Sequence, residues 1–149
     1  EHKNTEYWEN EMGRKFDRVI FVQNFSAWKK EFTEIQKDVD MLFMGSVASV
    51  KGWNEEEADM FVIKNTKIPT GAEIESMMPY SLLGVTKSSS EPGRWSAETA
   101  LKIIDGTPLS EIENTRNKEG NLVLNLKIAE KLGVAFEPVM IKNAENIIE

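Results

Sequence analysis

The chain has no cysteine and a single histidine, His2, among its 149 residues. The first absence rules out disulfides, thiol catalysis and zinc–thiolate centres, and leaves the compartment open. The second makes any Ser–His–Asp arrangement depend on a residue in a terminus expected to fray. Basic residues are in deficit: 18 Lys and Arg stand against 25 Asp and Glu, a net charge of -7. Phosphate binding needs Lys/Arg surfaces, so no nucleic-acid partner is expected. No apolar run approaches the ~20 residues of a membrane-spanning helix. Nor is there a secretory signal segment. The chain starts on a charged glutamate, which reads as an internal boundary, so that absence says little about export. The glycines are scattered from Gly13 to Gly133 and never gather into a phosphate-binding loop.

What remains suits one domain or one lobe of a larger protein. Hydrophobic residues make up 40% of the chain, enough to build a core. Tyr7, Trp8, Met12 and Phe16 recur at helical spacing, which predicts a helix over 4–16, weakened by Gly13. Arg18–Gln23, apolar from Val19 to Val22, predicts a strand. Ser26 is the expected N-cap of a helix running to Lys37, with Trp28, Phe32 and Ile35 on one face. Val39–Met44 is a second apolar strand, ended by Gly45-Ser46. Such a run asks for cover on both faces, as in a parallel sheet. Asn54 followed by Glu55, Glu56 and Glu57 fits a capping box and a helix to about Lys64.

Further along, Ile68–Gly71 predicts a short strand with its exit turn, and Leu82–Thr86 another. Ser90 opens the clearest helix of the chain, with Ala97, Ala100, Leu101 and Ile104 on one stripe, closed by Gly106 and Pro108. Glu113–Arg116 and Asn121–Asn125 flank Asn117-Lys-Glu-Gly120, a hairpin pattern. A helix over Leu126–Leu132, stopped by Gly133, and an amphipathic segment over Val139–Ile148 complete the chain. Strands alternating with helices predict an α/β fold: a three-layer sandwich around a mostly parallel sheet.

The inventory for catalysis is poor. Glu55–Glu57 with Asp59 do not converge on a cation, because consecutive helix residues diverge; a capped, solvated helix start accounts for them. No metal and no cofactor are expected. Asp40 opens its strand where a receiver domain needs an acid at the closing end. A binding site has better support, since ligands of open parallel sheets sit beyond the carboxyl ends of the strands. The residues expected there are Asn24, Phe25, Ser46, Val47, Ala48, Thr70, Gly71 and Thr86. Small, hydroxyl-bearing and aromatic, they suit a small polar or zwitterionic ligand. The same residue types also populate ordinary turns and caps. Trp53 either stacks on a ligand or staples the helix it precedes, whereas Trp28 and Trp95 read as core. The apolar run Met77-Met78-Pro79-Tyr80 either lines a cleft or meets another lobe.

Several strings occur in an order that resembles one family. They are Phe25-Ser-Ala-Trp28, Val39-Asp-Met-Leu42, Thr66-Lys-Ile-Pro-Thr-Gly71, then Gly93 with Ala97, Ala100 and Ile104, Gly106-Thr-Pro108 with Ile112, and finally Asn125, Leu126, Ala129, Leu132 and Gly133. Together they resemble the ABC-transporter substrate-binding proteins that include aromatic-amino-acid binders. The resemblance implies a type I periplasmic-binding-protein fold, in which two α/β lobes close on a solute. The chain is too short for both lobes. It corresponds to a C-terminal lobe lacking its N-terminal partner, with a main lobe over about 1–112 and a crossover hairpin and helical segment over 113–149. The implied role is non-enzymatic: an extracytoplasmic, membrane-associated solute-binding component partnered by a permease. The alternative is the ligand-sensing extracellular domain of a signalling protein. Ser46–Trp53 and Met77-Met78-Pro79 depart from the aromatic-amino-acid binders, so the ligand does not transfer. An isolated lobe either leaves its cleft open or pairs as a homodimer.

Overall fold

A computed structural model describes residues 2–13 and 15–149, without the side chains of residues 2–4, 8 and 12. The expectations placed on His2, Trp8 and Met12 as side chains therefore lie outside the described residues. The elements run α1 (His2–Met12), α2 (Phe25–Ile35), β1 (Leu42–Phe43), α3 (Glu55–Asn65), β2 (Thr70–Ala72), a 3-10 turn (Glu75–Tyr80), β3 (Leu83–Lys87), α4 (Ser90–Ile104), β4 (Gly120–Asn125), α5 (Leu126–Leu132), α6 (Pro138–Asn143) and β5 (Asn146–Ile148). The strands form one sheet in the order β1-β2-β3-β4-β5. The β1–β2, β2–β3 and β4–β5 pairs are parallel and β3–β4 is antiparallel. The α/β class with a mostly parallel sheet is as the residue pattern predicted.

Local signals placed several boundaries well. Asn54 Oδ1 accepts the Glu57 N–H at 2.8 Å, and the three glutamates fill the first turn of α3. Asn125 Oδ1 caps α5 through the Ile128 N–H at 3.1 Å. Gly133 ends that helix at φ +66°, a left-handed conformation that favours glycine. The cap of α2 is a correction. It is Asn24, whose Oδ1 accepts the Ala27 N–H at 2.9 Å, and not Ser26.

Larger departures concern pairing. The predicted strand Arg18–Gln23 is not one: among the described residues no strand ladder includes it. The predicted hairpin also does not form. Residues 113–119 are irregular, and β4 takes β3 as its antiparallel partner, with Val85 opposite Leu122. The carboxylate of Glu91 instead holds the 117–119 turn, accepting the N–H groups of Lys118 and Glu119 at 2.8–3.0 Å. The final amphipathic segment splits into α6 and β5, because the edge of β4 offers a parallel partner for Asn146–Ile148.

Phe25, Trp28, Phe32, Val62, Met77, Met78, Val123 and Ile128 belong to a single buried cluster. Trp28 and Phe32 face it as their spacing predicted. Helix α4 does not join it. The helix forms where expected, but none of its residues is buried, and Leu101 and Ile104 are 61% and 79% exposed. Trp95, read as core, is exposed with them. An amphipathic stripe predicts that a helix has a partner, and the described residues do not supply one.

Candidate functional site

The parallel strands β1, β2 and β3 end at a common rim. Beyond β1 the chain turns through Gly45–Ser49, and beyond β2 it reaches Glu73 and Ile74. A cavity of about 270 Å³ opens there, and Gly45, Ser46, Val47, Ser49 and Glu73 are among its lining. The rest of the lining is mostly apolar, from Val19–Val22, Leu42–Met44, Trp28, Phe32 and Ile35, with Arg18 and Glu31 beside them. Burial raises the Glu73 carboxyl above its ordinary range, while the nearby Lys87 ammonium pulls it back. A half-buried carboxylate of this kind seeks a cation or a donor.

The residues singled out in the sequence divide sharply. Ser46 and Val47 line the cavity. Ser46 Oγ accepts the Ala48 N–H at 3.2 Å and shapes the loop, while Ala48 is exposed beside it. Asn24 is engaged as a helix cap, with its backbone bridged to Lys51. Phe25 is buried. Trp53 is half-buried in an aromatic cluster, 5.0 Å from the rings of both Phe25 and Trp28 and 5.4 Å from that of Tyr80. These contacts tie it to α2 and to the 3-10 turn.

Thr70 and Gly71 lie within β2 and not past its end, since the strand runs to Ala72. Thr70 is buried, and its Oγ1 accepts the Leu82 N–H at 2.9 Å. Thr86 is buried in β3. Met77, Met78 and Tyr80 are buried in the core. The sequence reading missed Glu73. A strand ending two residues later would have put it at the rim, but Gly71 read as the exit turn.

Among the described residues no three His, Cys, Asp or Glu side chains converge to hold a metal. No described helix is long and apolar enough to cross a membrane.

No protein-family profile and no curated protein matches the chain. Solved structures do. A ligand-free, open substrate-binding protein with adhesive properties from Clostridium difficile superposes with a TM-score of 0.69 at 16% identity, over 99% of this chain and 48% of its own. An ABC domain in complex with L-Trp from Streptococcus pneumoniae gives 0.62 at 17% identity, over 99% and 51%. A conserved domain protein from Vibrio cholerae O1 biovar El Tor gives 0.59 at 13% identity, over 98% and 49%. The chain has a substrate-binding-protein-like fold. It spans about half the length of the structures it matches. At these identities the likeness concerns the fold alone.

Proposed function

We propose that this chain is the solute-binding half of an extracytoplasmic substrate-binding protein serving an ABC-type uptake system. Its ligand is a small amino-acid-like solute, and no bond is made or broken in the cleft. The observation that carries the reading is the placement of the cavity's polar lining. Gly45, Ser46, Val47 and Glu73 meet just beyond the carboxyl ends of two parallel strands, where open α/β sheets bind ligands. The Glu73 carboxylate takes the ligand's ammonium. The Ser46 hydroxyl and the N–H groups of the Gly45–Ser49 loop take its polar end. Among the proteins of this fold, one is in complex with L-Trp.

In this reading residues 1–112 are the main lobe and 113–149 the returning segment, and a second lobe supplies the rest of the cleft. The exposed stripe of α4 supports that arrangement, because Leu101 and Ile104 need a cover that the described residues do not give. Closure on the solute is then read by a membrane permease.

A thermal-shift screen of the common amino acids and small carboxylates, run on the two-lobed protein, tests the reading. A ligand present at ~100 times its Kd stabilises by about 2.7 kcal/mol. Glu73→Gln is expected to fold normally and to lose most of that shift for ligands with an ammonium group. If no solute in the panel raises the melting temperature, the proposal fails. This chain alone binds weakly, with half of the contacts absent.

A further inference from the structure

The stretch over 113–119 is irregular and every residue in it is exposed, so no core packing fixes its path. Polar contacts near its end do. Tyr7 and Glu11 stand four residues apart on α1, hence on one face of that helix. The Arg116 guanidinium spans both. It donates to the Tyr7 hydroxyl at 3.3 Å, lies 5.8 Å from the centre of that ring, and pairs with Glu11 at 3.7 Å. Two residues later the chain meets α4. The Glu91 carboxylate accepts the N–H groups of Lys118 and Glu119 at 2.8–3.0 Å, and Arg94 pairs with Glu119 at 3.3 Å. Gly120 then enters the sheet opposite Lys87.

The spacing of these contacts matters. From Arg116 to Lys118 the chain spans at most roughly 7 Å, which leaves no slack between the two attachments. A shift in the first turn of α4 must carry Arg116 with it or break an attachment. Helix α1 has 11 residues and is strongly polar, and a helix of that length is marginal on its own in water. Where it sits therefore depends on what holds it. We infer that residues 116–119 are a two-ended strap that couples the position of α1 to that of the first turn of α4, with Arg116 and Glu91 as its clasps.

The strap is built to be released. The side chains of Arg116, Glu11, Arg94 and Glu119 are each more than half exposed, and pairs between such groups are individually weak. Either clasp can open without disturbing the core. The coupling also reaches the cavity beyond β1 and β2, because Thr5 of α1 is among its lining. Whatever seats on the exposed stripe of α4 is then felt, through the strap, at one wall of that cavity, as a coupling free energy between two places. This consequence rests on the solute-binding reading. The strap does not.

A chain without cysteine allows two spin labels to be placed at chosen positions alone. Asn10→Cys puts one on α1 and Glu130→Cys the other on α5, both exposed and outside the strap. Double electron–electron resonance reads the distance between them. One narrow distance distribution is expected for the parent, and Arg116→Ala is expected to lose it. Glu91 contacts the strap and not α1, yet Glu91→Ala is expected to lose the narrow distribution too, which a purely local role would not do. Combining the two changes is expected to broaden the distribution no further than Arg116→Ala alone, since one open clasp already frees the strap. Glu98→Ala, at an exposed acid of α4 outside the strap, is expected to keep the parent distribution. An unchanged distribution in either single variant overturns the inference. So does a parent as broad as the variants, a combined variant broader than both, or the same loss in Glu98→Ala. No solute enters the measurement, so the strap and the solute-binding reading can each fail alone.

Discussion

The Asn125 Nδ2 donates to the Pro79 carbonyl at 3.0 Å, across 46 residues of sequence. The same amide reaches the Met78 carbonyl at 3.3 Å, and its Oδ1 caps α5. One buried side chain thus ties the 3-10 turn to the strand–helix junction. Its place at the head of the most recognisable string in the chain is structural, and it lies outside the cavity. Asn125→Ala is expected to cost about 2–4 kcal/mol, through loss of the cap and of the side-chain donor to the Pro79 carbonyl, while the Met78 carbonyl keeps the Ser81 N–H. Asn125→Asp keeps the cap acceptor but sets a carboxylate against those carbonyls, and is expected to cost more. Urea unfolding midpoints of the two variants decide it.

Gly84 is a second point of close approach. A Cβ there would meet the Ala72 carbonyl oxygen and the end of the Met78 side chain. Met78 can shift; the neighbouring backbone cannot without opening the sheet. Gly84→Ala is expected to destabilise by about 2 kcal/mol or more. A stability within error of the parent would show that β2 and β3 are free to separate.

Glu73 carries a pH signature. Its folded carboxyl titrates above the ordinary 4.5, chiefly because of burial, with Lys87 in partial opposition. A raised folded value means that its contribution to stability is fully present below 4.5 and is lost as pH rises through the folded value. Ionised Glu73 is therefore a net burden at neutral pH. Glu73→Gln is expected to melt higher than the parent at pH 7, with the gap closing as pH falls toward 4.5. Parallel melting curves across that range would remove the desolvation argument.

Glu91 behaves oppositely. The N–H groups of Glu119 and Lys118 hold its carboxyl below the usual range, although it lies at the surface. Its depressed value means that the interaction is present at neutral pH and is lost as pH falls below the ordinary value and through the folded one. Glu91→Ala is expected to speed amide exchange at Lys118 and Glu119 specifically, leaving the core amides unchanged.

Trp53 separates core from ligand chemistry. Trp53→Ala is expected to cost about 3–5 kcal/mol, in keeping with its packing on Phe25, Trp28 and Tyr80. Leu101→Lys in α4, by contrast, is expected to stay within ~0.5 kcal/mol in this chain. In the two-lobed protein proposed above, the Leu101 change becomes costly if the stripe is covered there. Chemical denaturation of both variants in both backgrounds provides the comparison.

The residue pattern made the α/β class, most of the helices and the positions of β1 to β4 legible. It also pointed toward the rim beyond β1, where Ser46 and Val47 line the cavity. It misread Thr70, Gly71 and Thr86 as rim residues, because a single glycine looked like an exit turn while β2 continued past it. It misread Phe25 and Asn24 because an aromatic or an amide at a helix start looks the same whether it serves the core, the cap or a ligand.

Sequence by itself determined what is local. The caps at Asn54 and Asn125 and the stop at Gly133 act over three or four residues, so a short stretch of chain contains both partners of each interaction. Tertiary structure decided what is not local. It chose β3 rather than Glu113–Arg116 as the partner of β4, made a strand of Asn146–Ile148, and left Arg18–Gln23 out of the sheet and the stripe of α4 in solvent. An apolar pattern states that a segment needs a partner. Only the assembled backbone, with its hydrogen bonds committed to particular edges, states which partner it has and which segments have none in this chain.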